Sequence, residues 1–273
     1  MNHYLPLGVL AAMALAVLAS RYIAKRRLRQ TRRSGLALLS QLKELVVRQQ
    51  QHRGLSSSYL KGNQQALSDL QRLQQELRSW QTRLNDHAYI AKQTRWQSYL
   101  QHWQRLHGSW QSNTLENNIT QHSLMIRNLL YFAEDIAIEF EINSLDGQGL
   151  SVSFLWHELL LTAESIGQAR ALGSGLASAG HSSSVERIRL SFLHQKIAET
   201  DPAILDQYSY WLLPEKQLRW DSLARLQQTI EQDLIKTETP SISVQEYFRQ
   251  ATEVLDAIYQ VYDAGIEHLS REA

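Results

Sequence analysis

Two arginines stand in the same short frame, Gln51-His52-Arg53-Gly54-Leu55-Ser56-Ser57 and Gln168-Ala169-Arg170-Ala171-Leu172-Gly173-Ser174, 117 residues apart. Both copies read Gln, any residue, Arg, small, Leu, small, Ser. A guanidinium is planar, permanently charged and armed with a fork of donors, so its chemistry is to hold a carboxylate or another oxyanion. Each frame falls in a strongly helical stretch, beside residues small enough for a neighbouring helix to come close. Burying such a cation without an anionic partner costs several kcal/mol. The partner is either a carboxylate of the chain, such as Glu44 or Glu164, or an anion from outside.

Other chemistry finds little support in the residue types. His157-Glu158 could begin a zinc-protease pattern, but Leu161 stands where the second histidine belongs. The ten histidines form no i, i+4 pair backed by a carboxylate, so no metal site is expected. The lack of cysteine excludes disulfides and thiol chemistry without fixing a compartment. Glu134, Asp135, Glu139 and Glu141 make an acidic patch, either a solvated face or internal partners for Arg53 and Arg127. No catalytic site assembles, so neither an enzyme nor a cofactor is expected.

The elements that must position the arginines all read as helices. Leu36, Leu39, Leu42, Val46 and the run from His52 to Leu60 make one long first helix that can continue from the apolar N-terminus. Leu67, Leu70, Leu73 and Leu77 predict a second over 63–84. Asn85-Asp86 supplies a turn and N-cap for a third, on which Tyr89, Trp96, Trp103 and Trp110 recur every seven residues as a packing stripe. A fourth, over 116–141, carries Ile119, Leu124, Ile126, Leu129, Leu130, Phe132 and Ile136. Residues 143–149 form the clearest loop, and a fifth helix over 152–179 contains the second frame.

A capped turn at 181–184 opens a sixth helix over 185–199. Asp201-Pro202 looks like an N-cap with proline at the first helical position, and Ser243 with Glu246 fits a capping box opening a final helix to about 269. Pro214 and Pro240 also sit at junctions. With no persuasive strand, the expected fold is all-α: two linked antiparallel four-helix bundles, about 35–142 and 150–270, following an N-terminal transmembrane helix.

Residues 5–24 are apolar enough to suggest a single span, making 1–24 an anchor. Seven basic residues and no acid lie between Arg21 and Arg33, so 25–34 reads as a basic juxtamembrane linker, and 35–270 as the folded domain. Removing those seven leaves 21 basic residues against 27 acidic ones, which gives no nucleic-acid surface. Basic residues on the C-terminal side of the span place the N-terminus out and the domain in the cytoplasm, at the inner membrane. The rival is a signal-like segment, with 14–20 as its cleavage region and a periplasmic domain.

At the arginine frames the chain resembles a known family. Residues 49–63 (QQQHRGLSSSYLKGN) are similar to the first signature of the nitrate- and nitrite-sensing (NIT) domain, and 164–180 (ESIGQARALGSGLASAG) to its second. Residues 184–195 and 243–255 resemble its later segments, in the same order. The resemblance implies two helical bundles that bind nitrate or nitrite through arginines and pass a conformational signal onward. Arg53 and Arg170 match the motif arginines, Arg53 the stronger as ligand contact; Arg187 and Arg189 lie in a matching helix, and His52 stands where the family often has Glu or Arg. No output domain follows, so the expected partner is a separate signalling protein or a second copy of the chain. The alternative is a membrane-associated helical scaffold or adaptor that binds no ligand.

Overall fold

The computed structural model describes residues 4–145, 151–213 and 220–273, the side chains of residues 4–11 and 211 excepted. These residues contain helices and turns and no strand. The first helix, α1 (Tyr4–Leu60), runs 57 residues without a break, about 85 Å at 1.5 Å per residue. The basic run is part of it. Leu36, Leu39, Leu42, Leu45 and Val46 bury one stripe of it. The chain leaves α1 through Gly62, whose φ of 101° suits a residue without Cβ. Then α2 (Ala66–Asn85) buries Leu70, Leu73, Leu77 and Leu84, one face of an amphipathic helix.

The expected third helix is two. His87, not Asp86, caps α3 (Ala88–Ala91) by accepting the Tyr89 N–H, and the backbone extends at Gln93 before α4 (Thr94–Ser109) begins. Trp96, Trp103 and Trp110 are buried, so the aromatic stripe is core. The next helix, α5 (Leu115–Glu139), buries Met125, Ile126, Leu129, Leu130, Ala133, Ile136 and Ala137. Leu124 falls off that stripe and is 47% exposed, contrary to expectation. The expected loop starts as a 3₁₀ turn, Ile142–Leu145, and its remainder lies outside the described residues, as does Pro214.

The second half opens with a π-helical turn, Leu155–Leu159, leading into α6 (Leu160–Ala179), which Gly180 ends in the left-handed conformation at φ 68°. A full capping box of Ser183 and Glu186 starts α7 (Ser184–Ala198). Asp201 caps α8 (Pro202–Leu212), with Pro202 at its first turn, as expected. After α9 (Asp221–Thr229) and its π-helical continuation comes α10 (Val244–Glu272). Here the expected box is half formed. Ser243 accepts the Glu246 N–H, while the Glu246 carboxylate turns to Arg249 and Gln250.

In the packing, α1 lies along α2 and α5 with α4 on α5, while α6 lies along α7 and α10 with α9 on α10. The two sets meet where α1 touches α6 and α10, and that junction holds both arginine frames. Among the described residues no helix is long and apolar enough to cross a membrane. The first part of the expected span, residues 5–11, has side chains outside the described set.

Candidate functional site

Where α1, α6 and α10 meet, they enclose a cavity of about 930 Å³ that α2 helps to line. From α1 come Gln50, Gln51, Gly54, Leu55, Ser57 and Ser58, and from the residue beyond its end, Lys61. On α6, Gly167, Arg170, Ala171, Ser174, Gly175 and Ser178 recur at three- and four-residue spacing, so one face of small residues opens the space. On α10, Phe248, Thr252, Leu255, Asp256 and Tyr259 do the same. Residues of both frames therefore line one cavity.

Arg170 presents its guanidinium to that space. Its Nη1 donates to Thr252 Oγ1 at 2.9 Å, and the group lies over the Phe248 ring, 4.8 Å from its centre. It makes no ion pair among the described residues. Burial lowers its pKa, and the nearby Arg53 charge lowers it further; Tyr259, Asp256 and Tyr247 oppose that shift. A second cation, Lys61, sits at the mouth with its pKa lowered by burial. Its ammonium rests on α6 where Gly175 leaves room, since a Cβ there would meet Nζ at 2.5 Å. Between these cations along α6, the buried Ser174 Oγ has no hydrogen-bond partner among the described residues.

Arg53 is placed differently. It is 1% exposed and does not line the cavity. Its Nη1 and Nη2 reach the two oxygens of Glu164 at 2.5 and 3.2 Å, and Nη1 also donates to Ser123 Oγ at 2.9 Å. The sequence offered Glu164 and the acidic patch alike as partners, and the pair is with Glu164. The patch is engaged elsewhere, Asp135 with Arg95 and Glu134 with His157. Gly167 explains how α6 comes so near, because a Cβ there would stand 3.0 Å from Arg53 Nη2. Gly54, beside Arg53, has no such reason: among the described residues nothing lies within 4 Å of its Cβ position.

The other candidates lie away from the cavity. His52 is fully buried on the side of α1 facing α2, α4 and α5, with its ring edge-on to Trp103 and Trp110. Its Nδ1 is 2.8 Å from His122 Nε2, and its Nε2 is 3.1 Å from Gln74 Nε2. Burial and the neighbouring histidine hold its pKa well below the usual histidine value, so it is neutral. Arg187 donates to the Ser182 carbonyl at 2.7 Å and pairs with Glu238. Arg189 pairs with Glu116 at the surface. Gln50, Lys61, Ser174 and Tyr259 line the cavity without having been expected to from the sequence. Lys61 was within the quoted motif, but Tyr259 lies 209 residues from its partner Gln50 and left no sequence signal.

A profile of the family described as nitrate and nitrite sensing, NIT, matches residues 44–270. No curated protein and no solved structure matches.

Proposed function

The chain belongs to the nitrate- and nitrite-sensing family, and on that premise we propose that it binds nitrate or nitrite in the cavity between α1, α6 and α10. Arg170 is the first contact and the Lys61 ammonium adds charge at the mouth. The observation that carries this is the state of Arg170: a largely buried guanidinium facing the cavity, ion-paired to no carboxylate among the described residues although Asp256 also lines that cavity. A planar oxyanion can take two parallel hydrogen bonds from such a fork and relieve the repulsion between Arg170 and Arg53. Binding would then favour helix arrangements in which α1, α6 and α10 close on the anion, which is how a ligand becomes a signal.

We further propose that residues 1–24 anchor the protein in the inner membrane, with 25–34 as a basic linker and 35–270 as a cytoplasmic sensor of two helical bundles. Met13, Leu15, Val17, Leu18 and Ile23 support the anchor, since all five are exposed on α1. The signal passes to a separate protein or a second copy, and no catalysis is involved. A scaffold without ligand is favoured by one fact, the internal closure of Arg53 by Glu164.

Calorimetry separates the two readings. The purified chain titrated with nitrate, nitrite, sulfate and chloride should show saturable binding of the planar anions, lost in Arg170→Ala. Heats that do not saturate, or an Arg170→Ala variant that binds like wild type, would leave the scaffold.

A further inference from the structure

Glu164 is solvated by the protein as though it were a bound anion. Two donors reach each of its oxygens: Arg53 Nη1 and Gln168 Nε2 at 2.5 and 2.8 Å on Oε1, Arg53 Nη2 and Gln50 Nε2 at 3.2 and 2.9 Å on Oε2. The side chain is nearly inaccessible, at 6% exposed. A carboxylate is a planar monoanion with two equivalent oxygens. A guanidinium fork flanked by two amides therefore matches nitrate or nitrite as well as it matches Glu164.

We infer that the cradle of Arg53, Gln50 and Gln168 is an oxyanion position in its own right, that Glu164 is its built-in ligand, and that an external planar oxyanion exchanges with the Glu164 carboxylate. The cradle is joined to the cavity. Gln50 lines the cavity and donates to Glu164 with its nitrogen, while its Oε1 accepts the Tyr259 hydroxyl at 2.6 Å. Tyr259 also lines the cavity. An anion arriving beside Arg170 thus meets two groups of the network that holds Glu164 and competes with it for them.

The exchange has two consequences. Glu164 sets affinity, because an external ion must displace a carboxylate whose effective concentration is very high. It also sets selectivity, because the cradle replaces one planar monoanion by another and leaves its net charge unchanged. A tetrahedral dianion does neither. The glycine at 167 belongs to the same device, since it lets the fork approach α6.

The inference rests on the oxyanion-sensor reading, but its test is separate. Thermal unfolding of the whole chain carrying Glu164→Ala is followed in sodium chloride, sulfate, formate, nitrite and nitrate at one ionic strength. The variant should melt below wild type in chloride. Formate, nitrite and nitrate should restore the midpoint saturably, and sulfate should not. Adding Arg53→Met should abolish the rescue. A midpoint that ignores formate and nitrate, or rises equally in sulfate, overturns the exchange.

If Glu164→Ala does not fold, Glu164→Gln carries the test, because it keeps the shape and removes the charge. It should bind nitrate roughly tenfold more tightly than wild type, and an unchanged affinity overturns the inference. Rescue of Glu164→Ala with no nitrate binding by wild type would keep the cradle as an oxyanion position but overturn the exchange along with the sensor reading. Nitrate binding through Arg170 with no effect of either Glu164 variant would do the reverse.

Discussion

Acidifying the protein from pH 6.5 to 5 should weaken it through His122, and the size of the loss can be worked from the structure. His122 and His52 are fully buried and joined in a directional chain. His122 Nδ1 lies 2.7 Å from the Asn118 carbonyl, which can only accept, so that nitrogen carries the proton. His122 Nε2 is then the acceptor for His52 Nδ1–H, and His52 Nε2 accepts from Gln74. Every ring nitrogen is satisfied with both rings neutral. A proton added to His122 would set two N–H groups against each other. Burial, with Arg53 and His102 adding to it and the Asn118 carbonyl opposing, puts the His122 pKa at about 3 instead of 6.5.

The folded pKa lies below the unfolded one, so the unfolded chain binds more protons between them. Stability is flat above about pH 6.5 and falls as pH drops towards about 3. Each pH unit costs about 1.4 kcal/mol per histidine, so His122 alone removes about 2 kcal/mol by pH 5, and His52 acts in the same direction. That is a sizeable part of the roughly 5–15 kcal/mol of an ordinary domain. The depressed carboxylates, Glu44, Glu186 and Glu246, titrate below their ordinary 4.5 and stay out of this window. Urea unfolding at pH 8, 6.5 and 5 measures the effect in wild type and in His122→Gln, which cannot protonate. Wild type should lose about 2 kcal/mol more than the variant between pH 6.5 and 5. Parallel losses would refute the neutral-chain reasoning.

Two further substitutions test the packing around the frames. In Gly173→Ala the new methyl would lie 2.4 to 2.6 Å from three Tyr247 atoms, and Tyr247 is held by its hydroxyl on the Ala169 carbonyl. Overpacking of about 1–3 kcal/mol should outweigh the helix gain of about 1 kcal/mol and lower the melting point, whereas Gly54→Ala, with open space, should raise it. Ser183→Ala removes the side-chain cap of α7 and should cost about 1 kcal/mol in urea unfolding. No change on Ser183→Ala would mean that the box is decorative.

What could be read from the sequence was what is decided locally. Asp201, Ser183 and Ser243 cap their helices because a cap depends on two or three neighbouring residues. The stripes of α2 and α5 follow from a period of 3.6, with Leu124 the exception at the edge of a stripe. The break between α3 and α4 carried no glycine or proline to announce it. That Arg53 needed an anion was legible from its charge, but the choice of Glu164 is made 111 residues away by the approach of α6 over Gly167. That His52 faces away from the cavity follows from helix geometry. One residue along a helix turns the side chain by about 100°, so His52 and Arg53 cannot face the same neighbours.

The two frames are alike in sequence and opposite in state, and under the proposed anion-binding function that asymmetry has a use. If both arginines were paired within the chain, an anion would find no unmet charge. If neither were, the folded chain would hold two repelling buried cations before any ligand arrived, at a cost of several kcal/mol. Glu164 neutralises Arg53, while Thr252 and the Phe248 ring hold Arg170 in place without neutralising it. Arg53 is thus paired within the chain, while Arg170 lines the cavity with no ion pair among the described residues. Gln50 and Arg53, which answer to that balance, lie on the same unbroken helix as the N-terminal apolar stretch. A shift of α1 against α6 that rebalances those charges therefore displaces the whole of α1 as one rod.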